Sequence, residues 1–109
     1  MVSDGSTALL LAARKSQQGV ARLLLDRGAD PNATRTGGQA GATPLMSAAF
    51  NGATGLVRLL LDRGADPDLV KATGARGTAV LMAAGRGHAE VLQLLAVFGA
   101  NLSAQVGGL

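Results

Sequence analysis

The chain repeats a segment of its own sequence, and this repetition constrains its fold more than any other feature. The nine residues 23–31 (LLLDRGADP) recur unchanged at 59–67, an offset of 36 residues. A looser third copy, LLAVFGANL, follows 35 residues later at 94–102. Repeats of this length are typical of solenoids, in which units stack because none can bury its apolar side alone.

A second block precedes each copy at a constant distance and predicts a short helix. The blocks are TALLLAA at 7–13, TPLMSAA at 43–49 and TAVLMAA at 78–84. We expect Thr7, Thr43 and Thr78 to be N-caps, because a hydroxyl there accepts a hydrogen bond from an unpaired backbone N–H. Pro44 fits the first helical position, which has no donor to lose. The paired alanines that end each block are small, which predicts close stacking of neighbouring helices.

The repeated segment itself predicts a second helix with one apolar face. Its apolar positions, at i, i+3 and i+4, are Val20, Leu23 and Leu24 in copy one, Leu56, Leu59 and Leu60 in copy two, and Val91, Leu94 and Leu95 in copy three. Gly28, Gly64 and Gly99 are expected to end these helices, since only Gly enters the left-handed conformation without steric cost. After them, Asp30 and Asp66 are placed to shape turns through side-chain to backbone bonds.

Two motifs carry a family resemblance. Residues 43–48 (TPLMSA) are similar to the T-P-L-H-x-A signature of ankyrin repeats, and residues 87–91 (GHAEV) resemble the way that family opens its second helix. The chain therefore resembles an ankyrin-repeat protein over about residues 3 to 102. The resemblance implies an all-α solenoid of three helix-turn-helix units, at about 3–35, 36–70 and 71–104, with a short tail at 105–109.

The chain departs from the family pattern in two ways. Leu10, Met46 and Leu81 replace the signature His, so apolar packing must substitute for the hydrogen bonds of that residue. The spacing also exceeds the 33 residues of the family, and the additional residues fall within 33–42 and 69–77. We therefore expect long β-hairpin finger loops.

Composition argues against catalysis and metal binding. The chain has no Cys and a single His, which removes disulfide frameworks, thiol nucleophiles and most His-centred acid–base chemistry. His88 stands where the family resemblance implies a structural His, and no Ser–base pair or carboxylate dyad accompanies it. Asp30 and Asp66 are a whole repeat apart, so no metal site is expected. The expectation is a protein that is not an enzyme and has no cofactor.

Other readings of the composition are also weak. The Gly-rich stretches 37–41 and 74–77 lack the Gly-Lys-Ser/Thr ending of a phosphate loop, so they are interpreted as finger loops. No apolar run is long enough for a membrane helix and the N-terminus lacks a signal-peptide pattern. A cytoplasmic or nuclear protein is the expectation. Nucleic acid ranks low as a partner, because Phe50 and Phe98 are the only aromatic residues and no dense cationic run is present.

The repeat register predicts one binding face. In a stack of such units the finger loops and the exposed side of the first helices form a continuous concave surface, where the family generally binds partners. The register places Arg14, Lys15, Arg35, Phe50, Asn51, Lys71, Arg76, Met82 and Arg86 there. Six of the ten cations belong to this set, so we expect a basic groove for an acidic segment of another protein, with Phe50 and Met82 as apolar anchors. The alternative is that these charges only keep an Ala- and Leu-rich stack soluble.

Two classes of function remain open on this basis. The favoured one is a non-enzymatic protein–protein interaction module. The competing one is a regulatory or targeting segment of a larger multidomain protein, an enzyme or a channel, whose chemistry lies outside this sequence.

The third repeat and one asparagine add two further expectations. Copies one and two end their second helix with Asp-Arg, whereas copy three ends with Val97-Phe98, which is not the polar outer side of a terminal repeat. We expect a longer array, or an end-to-end contact of Val97 and Phe98 with another chain. Leu24, Asp30 and Asn32 have a spacing that resembles an asparaginyl hydroxylase target in ankyrin proteins, although Asn32 is also a good turn residue.

Overall fold

The described part of the chain forms six α-helices in three antiparallel pairs. A computed structural model describes residues 5–34, 41–71 and 77–102. The helices are α1 (Ser6–Arg14), α2 (Gln18–Asp26), α3 (Pro44–Asn51), α4 (Thr54–Asp62), α5 (Ala79–Gly85) and α6 (Ala89–Val97). The inner helices α1, α3 and α5 pack side by side in one row, and the outer helices α2, α4 and α6 form a second row behind them. This arrangement confirms the predicted all-α solenoid with two helices per repeat.

The finger loops are only partly described. Lys71 and Gly77 form an antiparallel bridge at the base of the second loop, with the Lys71 N–H donating to the Gly77 carbonyl at 2.8 Å. Residues 35–40 and 72–76 lie outside the described residues. The β-hairpin form of the loops therefore stays a prediction.

Two of the three predicted threonine caps are confirmed. The Thr43 hydroxyl oxygen accepts from the Met46 N–H at 3.2 Å, and the Thr78 hydroxyl oxygen accepts from the Leu81 N–H at 3.3 Å. Both threonines are buried, each with 2% of its surface exposed. Their hydroxyls thus satisfy N–H groups at the helix start that have no partner within the helix.

The third predicted cap, Thr7, is wrong. The first helix begins before it, with Gly5 at the N-cap in a left-handed conformation (φ 90°), and Thr7 is an exposed residue inside the helix. The Ser6 hydroxyl accepts a hydrogen bond from the Asp30 N–H at 3.1 Å. This bond ties the start of the helix to the turn after α2, so the helix already exists where Thr7 enters it.

Glycines end the outer helices as predicted. Gly28, Gly64 and Gly99 have φ values of 97°, 94° and 86°, one residue beyond each C-cap. This conformation turns the next N–H back towards the helix, as in the 3.0 Å bond from Ala65 to the Leu60 carbonyl. The chain therefore leaves each outer helix in the same direction, which keeps the three repeats in register.

The core is continuous through the middle repeat and thins at both ends. In α4, all of Leu56, Val57, Leu59, Leu60 and Leu61 are buried. The predicted apolar face of α2 is wrong at two positions, because Val20 and Leu23 are 47% and 51% exposed while Ala21 and Leu25 are buried instead. Only α4 has an outer helix on both sides within the described chain, so only there is every apolar position covered.

Polar links between repeats follow the turns after the outer helices. The Asp30 and Asp66 carboxylates each accept the N–H two residues on, at 2.9 Å, which confirms their predicted role in the turns. The Asn32 amide then bridges to the next repeat: its oxygen accepts from the Asp66 N–H at 2.6 Å and its nitrogen donates to the Gly64 carbonyl at 3.2 Å. The Asn32 side chain therefore joins the first repeat to the second.

The cap geometry predicts unequal effects of three similar substitutions. Thr43→Ala and Thr78→Ala each remove a buried cap and should lower the free energy of unfolding by about 1 kcal/mol. Thr7→Ala removes an exposed helical residue that caps nothing and should change it little. Urea denaturation followed by circular dichroism measures all three. A loss for Thr7→Ala equal to the other two would contradict this assignment.

Candidate functional site

A groove of about 470 Å³ crosses the inner row of helices and is the candidate site. Its lining residues are Arg14, Ala42, Met46, Ser47, Phe50, Asn51, Lys71 and Met82. Arg14 ends α1, Phe50 and Asn51 end α3, and Met82 lies in α5, so the groove exists only when the three repeats are stacked. Five of the nine residues predicted for a binding face are brought together here.

Arg86 joins this group through an aromatic ring. Its guanidinium carbon lies 4.4 Å from the centroid of the Phe50 ring, which is cation–π geometry. Phe50 keeps 42% of its surface exposed. The contact holds the Arg86 charge beside the groove and leaves part of the ring available to another molecule.

The charge of the groove has one sign. Arg14 and Lys71 belong to its lining, Arg86 is stacked next to it, and the lining residues that the structure describes include no carboxylate. Asp26 and Asp62 end the outer helices instead, where Asp26 pairs with Arg63 at 2.6 Å. A cleft with apolar walls whose charged side chains are all cationic concentrates a positive potential. The site is therefore suited to an anionic group beside an apolar one.

The other predicted residues have different positions. Lys15 is exposed at the end of α1 and does not line the groove. Arg35 and Arg76 lie outside the described residues. Their assignment to the binding face stays a prediction.

Sequence reasoning missed three lining residues, Ala42, Met46 and Ser47. Ser47 stands 35 residues before Met82, in the same repeat register, so the register that selected Met82 could have found it. Met46 is nearly buried, yet it forms part of the apolar floor. It occupies the place of the signature His, and its position beneath the groove follows from packing that the sequence does not show.

His88 lies outside the groove lining and joins two repeats. Its Nε2–H donates to the Phe50 carbonyl at 2.9 Å, and its ring covers Gly52, where an added Cβ would lie 2.6 Å from the imidazole Cε1. Asn51 makes a comparable link one repeat earlier, from its Nδ2 to the Arg14 carbonyl at 3.0 Å. Both links fix the helix ends that carry Arg14 and Phe50, which supports the structural interpretation of His88.

Comparison with known proteins identifies the family. The family described as ankyrin repeats (3 copies) matches residues 2–71 and 45–107. The chain belongs to the ankyrin-repeat family. Domains of this family generally bind other proteins. No curated protein matches the chain in a sequence search.

Two further features bear on the site. Among the described residues, no group of three or more His, Cys, Asp and Glu side chains is arranged to hold a metal ion. None of the helices in the described ranges combines the length and the apolar character needed to cross a membrane. The groove itself presents cations beside apolar side chains.

The His88 contact predicts a difference between two glycines of similar conformation. Gly52 and Gly87 have φ values of 70° and 74°, but a Cβ at Gly87 meets nothing within 4 Å. Gly87→Ala should therefore cost about 1 to 2 kcal/mol from backbone strain alone. Gly52→Ala should cost about 1 kcal/mol more, because it also displaces His88 from its hydrogen bond.

A double-mutant cycle checks the cause. In a His88→Ala background the extra cost of Gly52→Ala should disappear, and the two glycine substitutions should become equal in urea denaturation. An unchanged difference would show that His88 is not the contact responsible.

Proposed function

We propose that this protein is a non-enzymatic interaction module whose groove binds an acidic segment of another protein. The observation that carries the proposal is the combination of three cations, Arg14, Lys71 and Arg86, with an apolar floor and, within the described part of the chain, a lining without carboxylates. Such a surface favours a partner with the opposite charge and an apolar anchor. In this proposal the protein acts in the cytoplasm or nucleus and needs no cofactor.

The ligand would be recognised by two kinds of contact. An aliphatic or aromatic side chain would pack against Met46, Met82 and the exposed part of Phe50. Carboxylates on either side of it would pair with Arg14 and Lys71. Because helix ends fixed by Asn51 and His88 carry the site, little ordering is needed on binding, which favours affinity.

The competing function uses the same surface. As a regulatory or targeting segment of a larger enzyme or channel, the groove would bring an acidic partner to chemistry located elsewhere in that protein. The observation in favour is that the groove combines cations with apolar side chains, which suits contact with another molecule. Pull-down from a native extract and the sequence of the complete parent protein separate the two functions.

A peptide-binding measurement tests the proposed groove. The probe is a fluorescein-labelled peptide in which glutamates flank a central pair of leucines, followed by fluorescence anisotropy. Arg14→Ala combined with Lys71→Ala should weaken binding about tenfold or more, equivalent to about 1.4 kcal/mol. Raising the salt concentration should also weaken it, since the screening length falls from about 10 Å at 0.1 M to about 3 Å at 1 M.

A matched control separates the groove from net charge. Arg22→Ala combined with Arg58→Ala removes the same charge from the exposed surfaces of α2 and α4. This control should bind the peptide nearly as well as the unmodified chain. Equal losses in the two double variants would mean that the peptide responds to overall charge, and affinity indifferent to both salt and Arg14/Lys71 would overturn the proposed site.

A further inference from the structure

Equivalent positions in the three outer helices show which side chains require a following repeat. Val57 and Leu61 are buried in the middle repeat, and their counterparts in the first, Ala21 and Leu25, are buried too. In the third repeat the counterpart of Leu61 is Ala96, which is exposed. These positions are covered only where another repeat follows.

A different set of positions requires a preceding repeat. Leu56 and Leu59 are buried in the middle repeat, whereas their counterparts in the first repeat, Val20 and Leu23, are about half exposed. Val91, the counterpart of Leu56 in the third repeat, is buried. Leu94, the counterpart of Leu59 in the third repeat, is half-buried. Burial at these positions is therefore greater where another repeat precedes.

These patterns define two end faces. The N-terminal end face consists of Val20 and Leu23. The C-terminal end face consists of Leu81, Leu92, Ala96 and Val97, of which Leu92 is half-buried and the others are exposed. Val97 belongs to it because Asp26, its counterpart in the first repeat, reaches forward to Arg63 of the next repeat. Val97 is 79% exposed, the most exposed large apolar residue described.

We propose that the C-terminal end face of one chain binds the N-terminal end face of a second copy, head to tail. The internal junctions of the chain supply the template. Val20 and Leu23 of the second copy would occupy the register of Leu56 and Leu59, which are buried in α4, a helix that packs against α2 of the preceding repeat. The two faces thus match by the packing that already joins the repeats, and their contact removes apolar surface from water.

One substitution in the repeat pattern suits this junction. Arg27 of the second copy stands in the register of Arg63 and would meet Val97 where Arg63 meets Asp26. The aliphatic stem of an arginine packs on an apolar side chain while its head group stays in water. At this junction an apolar contact between Arg27 and Val97 would replace the ion pair that Arg63 and Asp26 form inside the chain. Little stability is lost by that replacement, because an ion pair at an exposed site contributes little.

The geometry favours unlike faces over like ones. A contact between two N-terminal or two C-terminal end faces would place together positions that do not meet anywhere inside the chain. A head-to-tail contact is heterologous, so each added copy leaves one face of each kind free and the stack grows with concentration. The inner helices of successive copies would then continue the row that lines the groove.

A complementation experiment tests the junction. Sedimentation velocity of the unmodified chain should show a mass that rises above the 10.8 kDa monomer with concentration. Leu23→Glu disables the N-terminal end face and Ala96→Glu disables the C-terminal one, since each places a charge in an apolar contact. Each variant alone should be a monomer. An equimolar mixture retains one intact face of each kind and should form a one-to-one dimer that does not grow.

Two control substitutions leave both end faces intact. Arg22→Gln and Gln93→Glu make the same change of charge on the same two helices at positions exposed in all three repeats, and should leave association unchanged. If either face variant loses helical content by circular dichroism, Val20→Glu or Leu81→Glu replaces it. A monomeric unmodified chain, a monomeric mixture, or a single variant that still dimerises would each overturn the proposal.

Salt separates this inference from the proposed groove. Apolar stacking should persist or strengthen at high salt, whereas binding of an acidic peptide should weaken. Stacking without peptide binding, or peptide binding without stacking, would therefore refute one idea and leave the other standing.

Discussion

Apolar packing between neighbouring repeats is the interaction on which the whole structure depends. Each helix pair is too small to cover its own apolar side, and the buried leucines of α4 are covered because an outer helix lies on each side of it. Alanines such as Ala48 and Ala49 let the inner helices approach closely. The groove, the polar links and the end faces all follow from this stacking.

Polar side chains add direction to that packing. Asn32, Asn51 and His88 each form a hydrogen bond to the backbone of an adjacent repeat. Asn32 and Asn51 join the first and second repeats, and His88 joins the second and third. Leu10 and Met46, which replace the signature His of the family, are buried among apolar neighbours. The register between repeats is thus set by side-chain to backbone bonds at positions other than the one the family signature would use.

Much of the fold was predictable because its causes are local. Gly64 ends a helix through its own backbone conformation, and Thr43 caps the helix that starts one residue later. Where prediction failed, the cause lay elsewhere in the chain. Thr7 lies inside a helix that Ser6 and the distant Asp30 help to start. Val20 is exposed because no repeat precedes its own within the described part of the chain.

The candidate site shows the same division. Register alone brought Arg14, Phe50 and Met82 to one surface, since equivalent positions of stacked units share a face. The stacking of Arg86 on Phe50 and the place of the buried Met46 in the groove floor could not be predicted, because both depend on rotamers and packing across repeats. A one-dimensional pattern thus specifies which surface is presented but not its fine shape.

The groove is lined by residues from all three repeats, so a ligand bound in it would contact all of them. A ligand that extends from Arg14 to Met82 would contact the first and the third repeats at the same time. It could bind only when both of these repeats are packed against the middle one. Occupancy of the proposed site would therefore oppose fraying from either end, and by mass action the melting temperature would rise with the ligand concentration. Ligand binding at this groove and the stability of the stacked repeats would therefore be thermodynamically linked.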